Sequence, residues 1–312
     1  MEVIRMELHL NPLENKIVGV IEFKVETPIH IGSGGTEVRA EFLKVQDKLL
    51  IPSTTWKGVF RALSEKIAKA MEFDYIPGLA IKLYHEKERG IEYKPADEIE
   101  KKEYNEFEKE LKKIYGGNKS EKINLSREDM YQMIDELGFS DLKEQLEKED
   151  KGTWNKFTEA ILAINCPIGK LYGNRYLASK IRFFDTLIHK PKVHERPGIL
   201  IDRKSGKVRK ESLYFKEVYA EDNIKLVFIA DNLKQGDDDS KIFVSTLNYI
   251  KELGIHIGGG ISRGLGYLKF ENAKFYILNL KEGKFEDRII NLAKPFKHIP
   301  PVDIDELSKY LV

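Results

Sequence analysis

Cysteine is nearly missing from this chain. Cys166 is the only one in 312 residues. That excludes an internal disulfide and any zinc site built from several cysteines. Long apolar runs are missing too, and none approaches the ~20 residues that span a bilayer. The opening residues, MEVIRMELHL, lack a secretory apolar core. A soluble, cytoplasmic protein without a membrane partner is expected. Net charge is also scarce. Lys and Arg number 52 against 51 Asp and Glu, leaving +1, a balance that alone argues neither for nor against a polyanionic partner.

The near-neutral total conceals an asymmetry. Residues 72–152 hold 22 acidic and 15 basic side chains, a net of −7, so the rest of the chain carries +8. The acidic stretch has few β-branched runs and reads as a mostly helical, solvated insertion, taken here as 72–164, with helices near 100–114 and 127–149. Around it the pattern alternates between strand and helix. Lys16–Glu26 (KIVGVIEFKVE) alternates apolar and polar residues and predicts a strand. A turn, IGSGG, follows at 31–35, then short strands at 37–45 and 48–51. Ser53, Thr54 and Thr55 precede a predicted helix from Trp56 to Met71, with Val59, Leu63, Ile67 and Met71 on its apolar face and Trp56 expected in the core. Further strands are expected at 176–188 and 216–230, and a helix at about 236–253, started by Asp237–Asp239 rather than by a metal site. The last strand is expected at 267–278. Removing the insertions leaves β-α-β-β-α-β, the ferredoxin-like order shared with RNA-recognition domains. The fold class is therefore α+β: a ferredoxin-like (RRM-like) core over 1–71 and 165–280, a helical insertion, a β-hairpin thumb and a C-terminal extension at 281–312.

Three stretches suggest affinity for anions. In HIGGGISRGLGYLKF five glycines fall between Gly258 and Gly266, beside Ser262 and Arg263. Bare backbone can turn N–H groups toward a phosphate, and an arginine can add a bidentate fork. A flexible turn closed by a glycine cap explains the same residues. The second stretch is IPSTTWKGVFRAL. Ser53 and Thr54 sit at a helix start, where anions bind, and Lys57 and Arg61 share one face. A solvated basic stripe is the alternative. The third is the loop of about 189–215. From Leu187 to Glu217 it holds nine Lys or Arg against four acids, among them Arg203, Lys204, Lys207 and Arg209. Its Ile199–Ile201 and Leu213–Phe215 could pair as a basic hairpin suited to phosphates. His30, beside Gly32, Ser33, Gly34 and Gly35, could act as a general base, although a structural histidine is the commoner outcome.

The order of these pieces matters more than any one of them. HIGSGG, IPSTTWKGVFR, a KLYG segment, IDRKSGKVR and GGGISRGLG resemble the RAMP superfamily of CRISPR-associated proteins, over about 16–72 and 165–280. The likeness is greatest to the guide-RNA backbone subunit of type III effector complexes. The resemblance implies subunits that assemble with one another along a guide RNA (crRNA), with target RNA and other effector subunits as partners. It implies that Gly32–Gly35, Ser53, Thr54, Lys57, Arg61 and Gly258, Gly259, Gly260, Ser262 and Arg263 hold phosphates. The basic hairpin would wedge the guide–target duplex. In catalytic relatives an aspartate after the first Gly-rich turn cuts target RNA with a divalent metal. Here Ala40 or Glu41 occupies that place. Glu41 is therefore the only catalytic candidate for cleavage, and Mg2+ is needed only if the chain cleaves. No cofactor and no resident metal are expected for binding. The alternative within the superfamily is a metal-independent endoribonuclease that processes the guide precursor, with His30 as its acid or base.

Overall fold

The computed structural model describes residues 12–32, 39–71, 166–174, 177–199, 201–202, 204–208, 213–221 and 223–312. The expected helices near 100–114 and 127–149 lie outside the described residues. The chain divides into two compact units. One comprises Met1–Pro12 with Glu72–Ser179, the other Leu13–Met71 with Lys180–Val312. The strip 165–179, expected with the core, thus groups with the insertion.

The second unit carries the ferredoxin-like core. Its elements are β1 (Asn15–Val25), β2 (Arg39–Ala40), β3 (Lys44–Val45), β4 (Lys48–Ile51) and α1 (Ser53–Ala70). In the other unit, α2 (Pro167–Tyr172) is started by Pro167 and ends at Gly173. Back in the second unit come β5 (Ile181–Phe183), β6 (Thr186–Ile188), β7 (Val193–Gly198), β8 (Tyr214–Tyr219) and β9 (Asn223–Asp231). Then follow α3 (Asp238–Leu253), β10 (Ile255–His256), a 3-10 turn at Ile261–Arg263 and β11 (Tyr267–Asn279). The C-terminal extension forms α4 (Phe285–Ala293), α5 (Pro295–His298) and α6 (Ile304–Leu311).

The main sheet runs β10-β11-β1-β9-β5, and its pairings are antiparallel. Apart from the short edge strand β10, this is the strand order of the βαββαβ motif, with α1 and α3 as its helices. Strict alternation in β1 explains its central place. Ile17, Ile21 and Phe23 are fully buried, while Lys16, Val18 and Val20 face the other way. Aromatic rings bind the helices to the sheet. Phe23 stacks on Trp56 at 5.8 Å, Phe60 meets Phe183 at 4.9 Å, and Phe228 meets Phe243 and Phe275. Each such ring contributes roughly 1.5–3 kcal/mol when buried.

Three expectations are corrected in detail. Trp56 is buried as expected, but the rest of the buried face of α1 is Phe60, Ser64 and Ala68, one residue along from Val59, Leu63 and Ile67, and Met71 is exposed. The reason is the partner helix. Ser64 Oγ lies 2.7 Å from Thr246 Oγ1 of α3, and small residues there let the helices approach closely. The strand regions 176–188 and 216–230 each break in two, because β5 and β9 join the main sheet while β6 and β8 turn into separate three-stranded sheets. The basic hairpin pairs lower than expected, through Val193–Gly198 against Tyr214–Tyr219, with an Ile201–Val208 bridge beyond among the described residues. Asp238 and Asp239 do open α3 as expected, and Asp239 is in addition buried and paired with Lys180 at 2.8 Å.

Candidate nucleic-acid interface

The turn after β1 is a node where three segments meet. Ile29 exchanges backbone hydrogen bonds with Tyr219 of β8 at 2.8 and 3.0 Å. The Ile31 carbonyl accepts from Leu43 N–H at 2.7 Å, and Gly32 bridges to Phe42. The closing loop completes the node. Gly259 N–H donates to the His30 carbonyl and Gly266 N–H to the Pro28 carbonyl, both at 2.9 Å. The two Gly-rich segments, 226 residues apart in sequence from Gly32 to Gly258, are thus stitched together beside β11.

Close approach dictates two of the glycines. Gly258 has φ +80°, and a Cβ there would stand 2.3 Å from the His30 carbonyl oxygen. Gly266 has φ +89°, and its Cβ would meet the Ile257 carbonyl oxygen at 2.3 Å. Side chains at these places would push the loop off the node. Between them the chain makes the 3-10 turn, which leaves Ile261, Ser262, Arg263 and Gly264 exposed. Arg263 Nη1 donates to Tyr214 Oη at 2.7 Å.

His30 lies within the node. Its side chain is buried, and Nδ1 is 2.7 Å from the Glu217 carbonyl oxygen, so Nδ1–H donates there. Glu217 itself ties the segment after the first turn in place. Its carboxylate accepts from Phe42 N–H at 2.9 Å and from Lys44 at 2.8 Å. Burial pushes this carboxyl upward, but the Lys44 ammonium and the Phe42 N–H outweigh it and hold the group below the usual carboxylate range. Nothing in YFKEVY distinguished Glu217 beforehand, because its partners are distant in sequence. Glu41 is exposed, and among the described residues no three metal-ligating side chains gather.

The start of α1 differs. Pro52 is the N-cap and supplies no side-chain cap. Instead Asp185, from the β5–β6 link, accepts the Ser53 N–H at 2.6 Å. The link is fixed there by Trp56 Nε1, which donates to Thr186 Oγ1 at 3.1 Å. One N–H at this helix end is therefore already taken by one of the protein's own carboxylates. Arg61 bonds Glu65 one turn on at 2.9 Å, while Lys57 is half-buried and Thr54 exposed. At the hairpin tip Asp202 accepts from Lys204 N–H, Ser205 N–H and Ser205 Oγ, and the Ser205 bonds lower its pKa. This tight turn leaves Lys204 and Lys207 exposed. Ser33, Gly34, Gly35, Arg203 and Arg209 lie outside the described residues.

A family model for the RAMP superfamily matches residues 22–269, a span that runs from the end of β1 to the start of β11 and takes in both Gly-rich segments, α1, the hairpin and α3. The chain belongs to the RAMP superfamily. It is a CRISPR-associated RNA-binding protein, and RNA and CRISPR complex components are its partners. No curated protein matches it. The RAMP match ends early in β11, so α4, α5 and α6 lie beyond it. None of the described helices is long and apolar enough to cross a membrane.

Proposed function

We propose that this RAMP protein is a guide-RNA backbone subunit of a type III interference complex, holding the RNA by its phosphates and assembling along it with further copies. One observation carries the reading. The closing loop is bonded through Gly259 and Gly266 to the turn after β1, and it leaves Ser262 and Arg263 exposed beside the stem of a basic hairpin. Exposed main chain, a hydroxyl and a guanidinium suit a phosphodiester and carry no base information. The hairpin, with exposed Lys204 and Lys207 and exposed apolar Ile199, Ile201 and Val208, supports a wedge against a duplex. The burial of His30 and its bond to the Glu217 carbonyl support binding rather than guide processing. Glu41 would give Mg2+ one carboxylate, with the remaining ligands coming from water and RNA phosphates.

The test is RNA binding by the full chain. Affinity is expected to be independent of sequence and to fall steeply with salt. Arg263→Ala is expected to weaken all RNAs alike by about tenfold and to reduce the salt slope by about 0.7. Unchanged affinity in both Arg263→Ala and Lys57→Ala would refute the site. Cleavage of repeat RNA that survives chelation and disappears in His30→Ala would favour the processing nuclease instead.

A further inference from the structure

We infer that Tyr214, at the foot of the hairpin, is a further RNA-phosphate contact that also sets the guanidinium of Arg263, with Arg196 as a second cation at the same place. The inference rests on the RNA reading above and deepens it.

The argument begins with a glycine. Gly198 and Tyr214 are directly opposite on β7 and β8. A Cβ at position 198 would lie 2.2 Å from Tyr214 Cζ and 2.5 Å from its Oη. The phenol therefore lies across bare backbone, held by the strand beneath it. Its hydroxyl oxygen accepts from Arg263 Nη1 at 2.7 Å, and the guanidinium carbon stands 5.9 Å from the ring centroid. A phenol that accepts one hydrogen bond still has its own O–H to donate. Arg263 likewise keeps Nε and Nη2 for a second partner. Hydroxyl and guanidinium together offer the convergent donors that a phosphate oxygen pair takes up.

Arg196 comes from β7, two residues before Gly198. Its Nη2 lies 3.5 Å from the Arg263 carbonyl oxygen, which brings a second guanidinium beside the loop. Neither arginine pairs with a carboxylate among the described residues. Arg39, Arg61 and Arg182 do, with Glu195, Glu65 and Asp231. Two cations without acids, brought together by a hairpin and a loop, raise the local positive potential. A polyanion would relieve it. The chemistry favours the phosphodiester of a nucleic-acid strand over a free anion, because the donors lie on an exposed surface where a lone phosphate competes with water.

The experiment is fluorescence anisotropy of labelled single-stranded RNAs of unrelated sequence with the full chain. The variants are Tyr214→Phe, Arg263→Ala, their double mutant and Gly198→Ala. Tyr214→Phe keeps the ring and removes only the hydroxyl. It is expected to weaken every RNA by about three- to tenfold while leaving the salt slope unchanged, since no charge is lost. The double mutant is expected to lose less than the product of the two single losses, because part of the Tyr214 contribution acts through Arg263. Gly198→Ala displaces the ring while keeping both groups, and is expected to lose affinity as well. Parental affinity in Tyr214→Phe, or losses that simply multiply in the double mutant, would overturn the inference while leaving the RNA reading standing. Inorganic phosphate that displaces RNA more strongly than chloride of equal ionic strength would mark a free-anion site and overturn it too. No RNA binding by the unaltered chain would remove both.

Discussion

The closing loop and the start of α1 look alike in sequence, as small and hydroxyl residues next to cations. In the fold they have opposite arrangements. At α1 the Ser53 N–H already holds the carboxylate of Asp185, and Arg61 holds Glu65. At the loop the glycines are used to reach the first turn, and the cation beyond them, Arg263, touches a phenol rather than an acid. An exposed helix start or a glycine run is a candidate anion site only until the rest of the chain has chosen its partners. What distinguishes the two is which of them the fold has already neutralised.

The comparison can be broken most forcefully at Gly258. Gly258→Ala sets a methyl against the His30 carbonyl at a left-handed φ, and about 3 kcal/mol of stability is expected to be lost, along with RNA binding. Gly264 has a similar φ of +76° but open space around it, so Gly264→Ala should cost only about 1 kcal/mol. Equal losses on chemical denaturation would show that conformation alone, and not contact with the first turn, makes the loop. Glu217→Gln tests the anchor beneath both segments. About 1 kcal/mol is expected, screened in part by solvent. The lowered pKa of Glu217 fixes the sign. Its contribution is present above the unfolded value near 4.3 and is lost as pH falls through the lower folded value. The parent should therefore lose stability across that acid window more steeply than the variant, as read by thermal melts at pH 6 down to pH 3.

Asp185→Asn sharpens the contrast at the helix start. If Asp185 acts only as a cap, stability falls by about 1 kcal/mol or less and RNA affinity stays the same. A gain in RNA affinity would instead mean that RNA competes for the Ser53 N–H. The smallest effect is expected from Glu41→Gln. RNA affinity should be unchanged, and a loss of Mg2+-dependent target cleavage would assign that chemistry to this position.

Much of the fold was legible because it rests on local periodicity. The alternation in KIVGVIEFKVE placed β1, the run before Leu253 placed α3, and the order of elements placed the ferredoxin-like core. The face of α1 was misjudged by one residue, because spacing alone does not reveal that Ser64 meets Thr246. The hairpin stem was placed too high, because pairing depends on register with β8 and not on apolar content. For the site, residue types were readable and their pairings were not. Arg263 could be nominated from a motif, whereas Tyr214, Glu217 and Asp185 gained their roles from contacts across 49, 175 and 132 residues of sequence.

The sequence by itself determined the composition of the body, the βαββαβ order and the two bare loops, because these follow from side-chain periodicity and from the freedom of glycine. Only the tertiary structure decided which cations stay unpaired. Ion pairing and backbone contact reach over a few ångströms, and folding, not chain order, sets which groups come that close.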